Sequence, residues 1–271
     1  MVTIAASELE QHFSIRDWRG IPGWFWPVDM FLFLAVDQLQ KMHDARGDLL
    51  EIGVYHGKSA VLLGNFVRPD EELMVCDTFE SETIQEHNLT ENQKYYANLQ
   101  RQTFEKNYAQ FHSRPPRIFA CSSTDLIQYL PTTNGFRFIH IDGSHLYDVV
   151  REDIRLSRQL LKDNGVVVFD DYRSPHTPGV SAALWDAVLH ESLHPFCLSP
   201  SKMYAYWGDQ PPFDLKLFHR WLQEQGFFQI DASTVHENRM LLVDVPTSVS
   251  AKYEQTWSQR LLWNLRSFVK P

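Results

Sequence analysis

Two short segments carry acids and histidines at spacings suited to chemistry. His140-Ile141-Asp142-Gly143-Ser144-His145 closes one apolar run, and Phe169-Asp170-Asp171-Tyr172 closes the next. Runs of this kind read as neighbouring parallel strands, which brings Asp142 and Asp170 together at one edge of a sheet. Carboxylates sharing a cleft repel one another and raise a pKa unless a positive charge compensates. A hard divalent cation such as Mg2+ does so, and it keeps coordination positions for substrate oxygens. Such an ion binds hydroxyls and lowers the pKa of one of them. His145 stands three residues beyond Asp142. From there its imidazole can take the proton as general base. Plainer roles exist for each: Asp170 and Asp171 as helix caps or partners of Arg173, His145 as a loop hydrogen-bonder, His140 as a core histidine.

A second constellation lies upstream. Glu51-Ile52-Gly53-Val54-Tyr55-His56-Gly57-Lys58-Ser59 ends a buried apolar run in a glycine turn. Glycines let the backbone turn tightly and approach a ligand closely. The spacing is not G-x-G-x-x-G, so a dinucleotide pyrophosphate is disfavoured. An acidic residue beside the loop suits a ligand carrying an ammonium group. Asp77 ends the next apolar run, where a carboxylate accepts hydrogen bonds from ribose hydroxyls. Ser122-Ser123-Thr124-Asp125 follows a third run, at the place where adenine edges are contacted.

The elements needed to hold these residues are legible. Strands are expected at 49–53, 73–77, 117–121, 136–142 and 166–170, with closing strands at 203–207 and 240–245. Helices are expected at 30–42, 59–66, 147–162, 180–189 and 214–225, within 80–108, and, amphipathic, at 248–269. Short apolar strands alternating with helices predict an α/β fold with a doubly wound, mostly parallel, Rossmann-like sheet of seven strands. Residues 1–47 read as a helical N-terminal extension or lid, 48–247 as the main domain and 248–271 as a C-terminal helix. Trp18, Trp24, Phe25 and Trp26 cluster in the extension, to stack on an acceptor or to fill a core or subunit contact.

Of the 271 residues, 44% are hydrophobic, 22% are charged, and the net charge is −9, a globular balance that disfavours nucleic-acid binding. The three cysteines, Cys76, Cys121 and Cys197, form no C-x-x-C pair and read as buried apolar residues in a reducing compartment. No secretory signal or 20-residue apolar stretch stands out. A cytoplasmic enzyme, with a homodimer as one arrangement, is expected.

The glycine loop, Asp77-Thr78-Phe79, the segment from Ile139 through Asp153 and Val166-Val167-Val168-Phe169-Asp170-Asp171-Tyr172 together resemble class I S-adenosylmethionine-dependent methyltransferases. The subgroup is that of macrocin-type, metal-dependent sugar O-methyltransferases, and the resemblance covers residues 48–190. It implies an S-adenosylmethionine site formed by Glu51, Gly53, Tyr55, Gly57, Ser59, Asp77, Thr78, Ser122 and Asp142. It also implies Mg2+ held by Asp142, Asp170 and Asp171, with His145, or Asp142 itself, as base. The expected reaction is methyl transfer to a sugar hydroxyl of a glycoside, glycolipid or oligosaccharide. A catechol or other vicinal diol is the alternative acceptor, and a non-catalytic scaffold the alternative role.

Overall fold

The computed structural model describes residues 15–79, 99–130 and 135–246. The expected helix at 248–269, the 80–98 part of the one within 80–108, and the start of the N-terminal extension lie outside the described residues. In chain order the elements are α1 (Ile15–Gly20), α2 (Pro27–Met42), β1 (Asp48–Ile52), α3 (Lys58–Gly64), β2 (Leu73–Asp77), α4 (Arg101–Ala109), β3 (Arg117–Ala120) and α5 (Ser123–Leu126). There follow β4 (Phe136–Ile141), α6 (Tyr147–Leu160), β5 (Leu161–Phe169), α7 (Pro178–His190), β6 (His194–Leu198), β7 (Met203–Tyr206), α8 (Leu215–Gln225), β8 (Gln229–Val235) and β9 (Asn238–Asp244).

The strands form one sheet in the order β3-β2-β1-β4-β5-β7-β6-β9-β8. The first five are parallel, and β7 runs antiparallel between β5 and β6. The sheet thus has nine strands rather than the expected seven. Two were not anticipated. β6 contains Pro195, which cannot donate to a ladder and argues against a strand. β8 reads Gln-Ile-Asp-Ala-Ser-Thr-Val, a largely exposed edge strand without an apolar signature.

Side-chain alternation sends the two faces of the sheet to two cores. Leu49, Val75, Phe138, Val168 and Tyr204 face the core shared with α2, α3, α4 and α8. Leu50, Ile52, Ile139, Ile141, Val167 and Phe169 face the core shared with α6 and α7. Helix α2 is buried along most of its length, with Met30, Leu32, Phe33 and Val36 fully enclosed. This part of the N-terminal extension is a layer of the domain. Pro27 opens it at a position where the missing N–H costs nothing.

One buried acid on α6 gives a pH-dependent expectation. Asp153 is 1% exposed. Neither carboxyl oxygen meets hydrogen-bond geometry with a described residue, although Ser123 lies close enough to draw the pKa down somewhat. Burial outweighs that pull and pushes the carboxyl up to about 7. The native state therefore keeps a proton that the unfolded chain releases near 4, and stability falls as pH rises between those values. Asp153→Asn cannot ionise. Its urea midpoint should exceed that of the parent at about pH 8, with the gap closing toward about pH 4. A gap independent of pH would assign the effect to packing.

Candidate active site

The site lies beyond the carboxyl ends of β1, β4 and β5, where the strand order reverses between β1 and β4. Register sets the levels. Glu51 pairs with His140, and Ile52 with Ile141. Ile141 in turn pairs with Phe169. The ladder runs on into the loops, as Asp142 N–H donates to the Ile52 carbonyl at 2.8 Å and Asp170 N–H to the Ile141 carbonyl at 2.9 Å. Gly53 joins the two halves. It has φ +80, and a Cβ there would stand 1.9 Å from the Asp142 carbonyl oxygen.

Asp77 holds the glycine loop. Its Oδ2 accepts from the amides of Val54 at 2.8 Å and Tyr55 at 3.1 Å, and its Oδ1 accepts from Phe79 N–H at 2.8 Å. Burial nevertheless raises its pKa, against the pull of those amides. Tyr55 sits in the left-handed region at φ 48 and stacks against the exposed Trp24, centroids 5.7 Å apart. Thr78 is half-buried beside Asp77, and Ser59 is buried in the first turn of α3. The Ser122 hydroxyl caps α5 by accepting from Thr124 N–H at 3.2 Å.

The expected metal ligands divide. Asp142, Asp170 and His140 form one cluster, with ligand-type atoms all within 4.8 Å of one another. Asp171 turns elsewhere, its Oδ2 3.1 Å from His145 Nε2 and its Oδ1 accepting from Ser174 Oγ at 2.5 Å. Its backbone is left-handed at φ 60, and Thr177 Oγ1 donates to its carbonyl at 2.9 Å. Burial raises the Asp171 pKa, but the hydrogen bonds from His145 and Ser174 outweigh it and hold the carboxyl below its ordinary value. Gly179, at the start of α7, lets that helix lie against the His145 loop, since a Cβ there would stand 2.6 Å from the His145 carbonyl. The cleft at the strand ends is lined by Asp142, Gly143, His145, Asp170, Asp171 and Val180.

Beneath this cleft runs a buried polar chain. Glu51 is 0% exposed and bonds through Oε1 to His140 Nδ1 at 2.7 Å. His140 Nε2 lies 3.2 Å from the Lys202 ammonium, which also donates to Asp170 Oδ2. The donation from lysine leaves the ring hydrogen on Nδ1, directed at Glu51. Phe25 covers Lys202, its ring centroid 5.0 Å from Nζ. Burial pushes Glu51 up to about 8 and, with Lys202, holds His140 well below its ordinary value. Burial and then Asp170 raise Asp142 well above the carboxylate range. Burial raises Asp170 most, but the Lys202 charge and hydrogen bond, with His140, together outweigh it and hold the carboxyl below its ordinary value. Glu51 is thus bonded to His140 beneath the loop, and His140, read as a core histidine, is a buried member of the cluster.

Lys202 is the buried partner of the cluster that sequence reasoning missed. Its only signal is a lone lysine directly ahead of the apolar run 203–207. Ser199 and Lys202 close the β6–β7 turn, with Lys202 N–H donating to Ser199 Oγ at 2.8 Å and Ser199 N–H to the Lys202 carbonyl at 2.9 Å.

The donor set does not fit Mg2+ as arranged. Asp170 Oδ1 accepts from Asp171 N–H at 2.8 Å and its Oδ2 holds Lys202. Asp171 is engaged at both oxygens, and His140 at both nitrogens. The Lys202 ammonium lies against two of the three clustered groups, Asp170 and His140.

Comparison with known proteins matches residues 50–172 to the family described as a methyltransferase domain. A search of curated proteins returns no match. Among solved structures, the chain is similar to the O-methyltransferase NovP at 17% identity, covering 76% of this chain and 96% of that one, with a TM-score of 0.56. It is similar to the calicheamicin methyltransferase CalS11 at 16% identity, covering 75% and 90%, with a TM-score of 0.51. Cofactor-bound Rv0187 from MTB is similar at 15% identity, covering 77% and 88%, with a TM-score of 0.51. No helix among the described residues is long and apolar enough to cross a membrane. Residues 50–172 therefore match a methyltransferase domain, and the chain shares the Rossmann-like α/β fold of these O-methyltransferase structures.

Proposed function

We propose that this chain is an S-adenosylmethionine-dependent O-methyltransferase acting on a sugar hydroxyl. The observation that carries the reading is the His145–Asp171 pair at the mouth of the cleft, beside the loop that Asp77 tethers. S-adenosylmethionine fits that loop. Gly53 and Gly57 let the loop turn at positive φ, close against the Asp142 backbone and the Phe104 ring, and a carboxylate stands at the end of β2 for ribose hydroxyls. Tyr55, Ser59, Thr78 and Ser122 complete the proposed cofactor site, together with Asp142 across the loop. Glu51 serves it from below through His140 as a positioning residue. When bound, the cofactor supplies an electrophilic methyl group on a sulfonium.

The chain's own residues then handle the acceptor. Asp171 accepts from His145 Nε2, so the lone pair of the neutral imidazole lies on Nδ1. His145 Nδ1 would take the proton of the acceptor hydroxyl, while bound S-adenosylmethionine would supply the methyl group. Asp171 stabilises the imidazolium that results. Trp24 and Trp26 are exposed, Trp24 stacked on Tyr55, and offer flat apolar faces to a sugar ring.

Calorimetric titration with S-adenosylhomocysteine tests the cofactor. Micromolar binding is expected, and absence of binding would remove the methyltransferase reading. A panel of glycosides and catechols tests the acceptor. Turnover confined to catechols would overturn the sugar assignment.

A further inference from the structure

Resting on that reading, we propose that Lys202 is the resident cation of this site and that methyl transfer by this chain runs without a divalent metal. The argument is one of position. Met203 pairs with Phe169 across the antiparallel β5–β7 ladder, so Lys202 falls opposite Asp170. The turn bonds to Ser199 fix its backbone, and its side chain is fully buried. From there Nζ reaches Asp170 Oδ2 and His140 Nε2, two of the three groups close enough to share an ion. The Phe25 ring lies over Nζ, and the buried Asp29 of α2 adds a third acid to its surroundings.

A divalent ion at this place would meet a fixed ammonium and a donor set already engaged. Each Asp170 oxygen already accepts a hydrogen bond, one from Asp171 N–H and the other from the Lys202 ammonium. His140 has both nitrogens occupied, by Glu51 and by Lys202. Asp171 is spent on His145 and Ser174. Lys202 thus supplies the charge that keeps Asp142 and Asp170 side by side, and proton removal from the acceptor falls to the His145–Asp171 pair alone. A buried lysine in such a cluster is a compact charge with three donors, which matches several convergent acceptors.

The test is Mn2+ binding to the chelator-treated full chain, read by electron paramagnetic resonance with S-adenosylhomocysteine present. The parent protein should hold no stoichiometric Mn2+ up to about millimolar concentration. Lys202→Met removes the ammonium and keeps the stem, and it should gain one site with affinity raised at least about tenfold. One equivalent of Mn2+ on the parent, lost in Asp170→Asn, would overturn the proposal, as would a folded Lys202→Met that gains no site. The parent measurement decides the matter even if Lys202→Met fails to fold. Affinity for S-adenosylhomocysteine without metal is read separately, so failure of the methyltransferase reading is distinguishable from failure of this one.

Discussion

Replacing His145 by alanine is expected to lower kcat for methyl transfer by about 10²–10⁴-fold, the range of a lost general base. Affinity for S-adenosylhomocysteine should stay within about twofold, because the imidazole serves the acceptor side of the cleft. Asp171→Asn separates orientation from charge. The amide can still meet Nε2, but its NH2 group can donate there and favour the wrong tautomer, so kcat should fall again with unchanged cofactor affinity. The checks are steady-state kinetics on an accepted hydroxyl and calorimetry on the same variants. An undiminished kcat in His145→Ala would remove the histidine from the chemistry and leave Asp142 as the candidate base. Burial, and then Asp170, raise the Asp142 pKa.

The largest effect on stability is expected far from the cleft, at Arg137. Its side chain is 0% exposed on β4. Nε and Nη2 donate to the two carboxylate oxygens of Glu71, both at 2.9 Å. Nη1 donates to Gln40 Oε1 at 2.7 Å and Asp37 Oδ1 at 3.2 Å, and Nη2 also donates to the Phe66 carbonyl at 2.8 Å. This guanidinium ties α2 to β4 and to the segment before β2. Arg137→Met would take the guanidinium from two buried carboxylates, leaving Asp37 to Lys41 and Glu71 to Arg68 and the Gly47 amide, a loss of up to about 3–5 kcal/mol for one partner of a buried pair. Chemical denaturation measures it. A companion variant carrying Arg137→Met with Glu71→Gln should recover part of the loss, because an amide costs less to bury unpaired than a carboxylate. A cost below about 1 kcal/mol for the single change would show that the network is dispensable.

Local pattern was enough for the central parallel strands. β1, β2, β4 and β5 are apolar runs ending in glycine or acid, so their type and their functional ends were legible together. The acids at the ends of β4 and β5 met as expected, because adjacent parallel strands in register bring the residues that follow them to one edge. The edge strands were not legible, because β8 is polar and largely exposed and β6 contains a proline. The division of labour among the acids was hidden too. Asp170 and Asp171 are adjacent in sequence, yet the left-handed backbone at Asp171 sends one carboxylate to Lys202 and the other to His145.

By itself the sequence determined the doubly wound core, the glycine loop, the position of Asp77 at the end of β2, and the gathering of Asp142, His145 and Asp170 at one end of the sheet. All of these follow from short-range periodicity and from the rule that strand ends carry the site. Tertiary structure alone decided which cation stands beside the cluster. Lys202 is 32 residues from Asp170 in the chain, and only the antiparallel return of β7 sets it opposite that carboxylate. Phe25, just ahead of α2, then lies over the ammonium, and burial leaves its charge little screened by water.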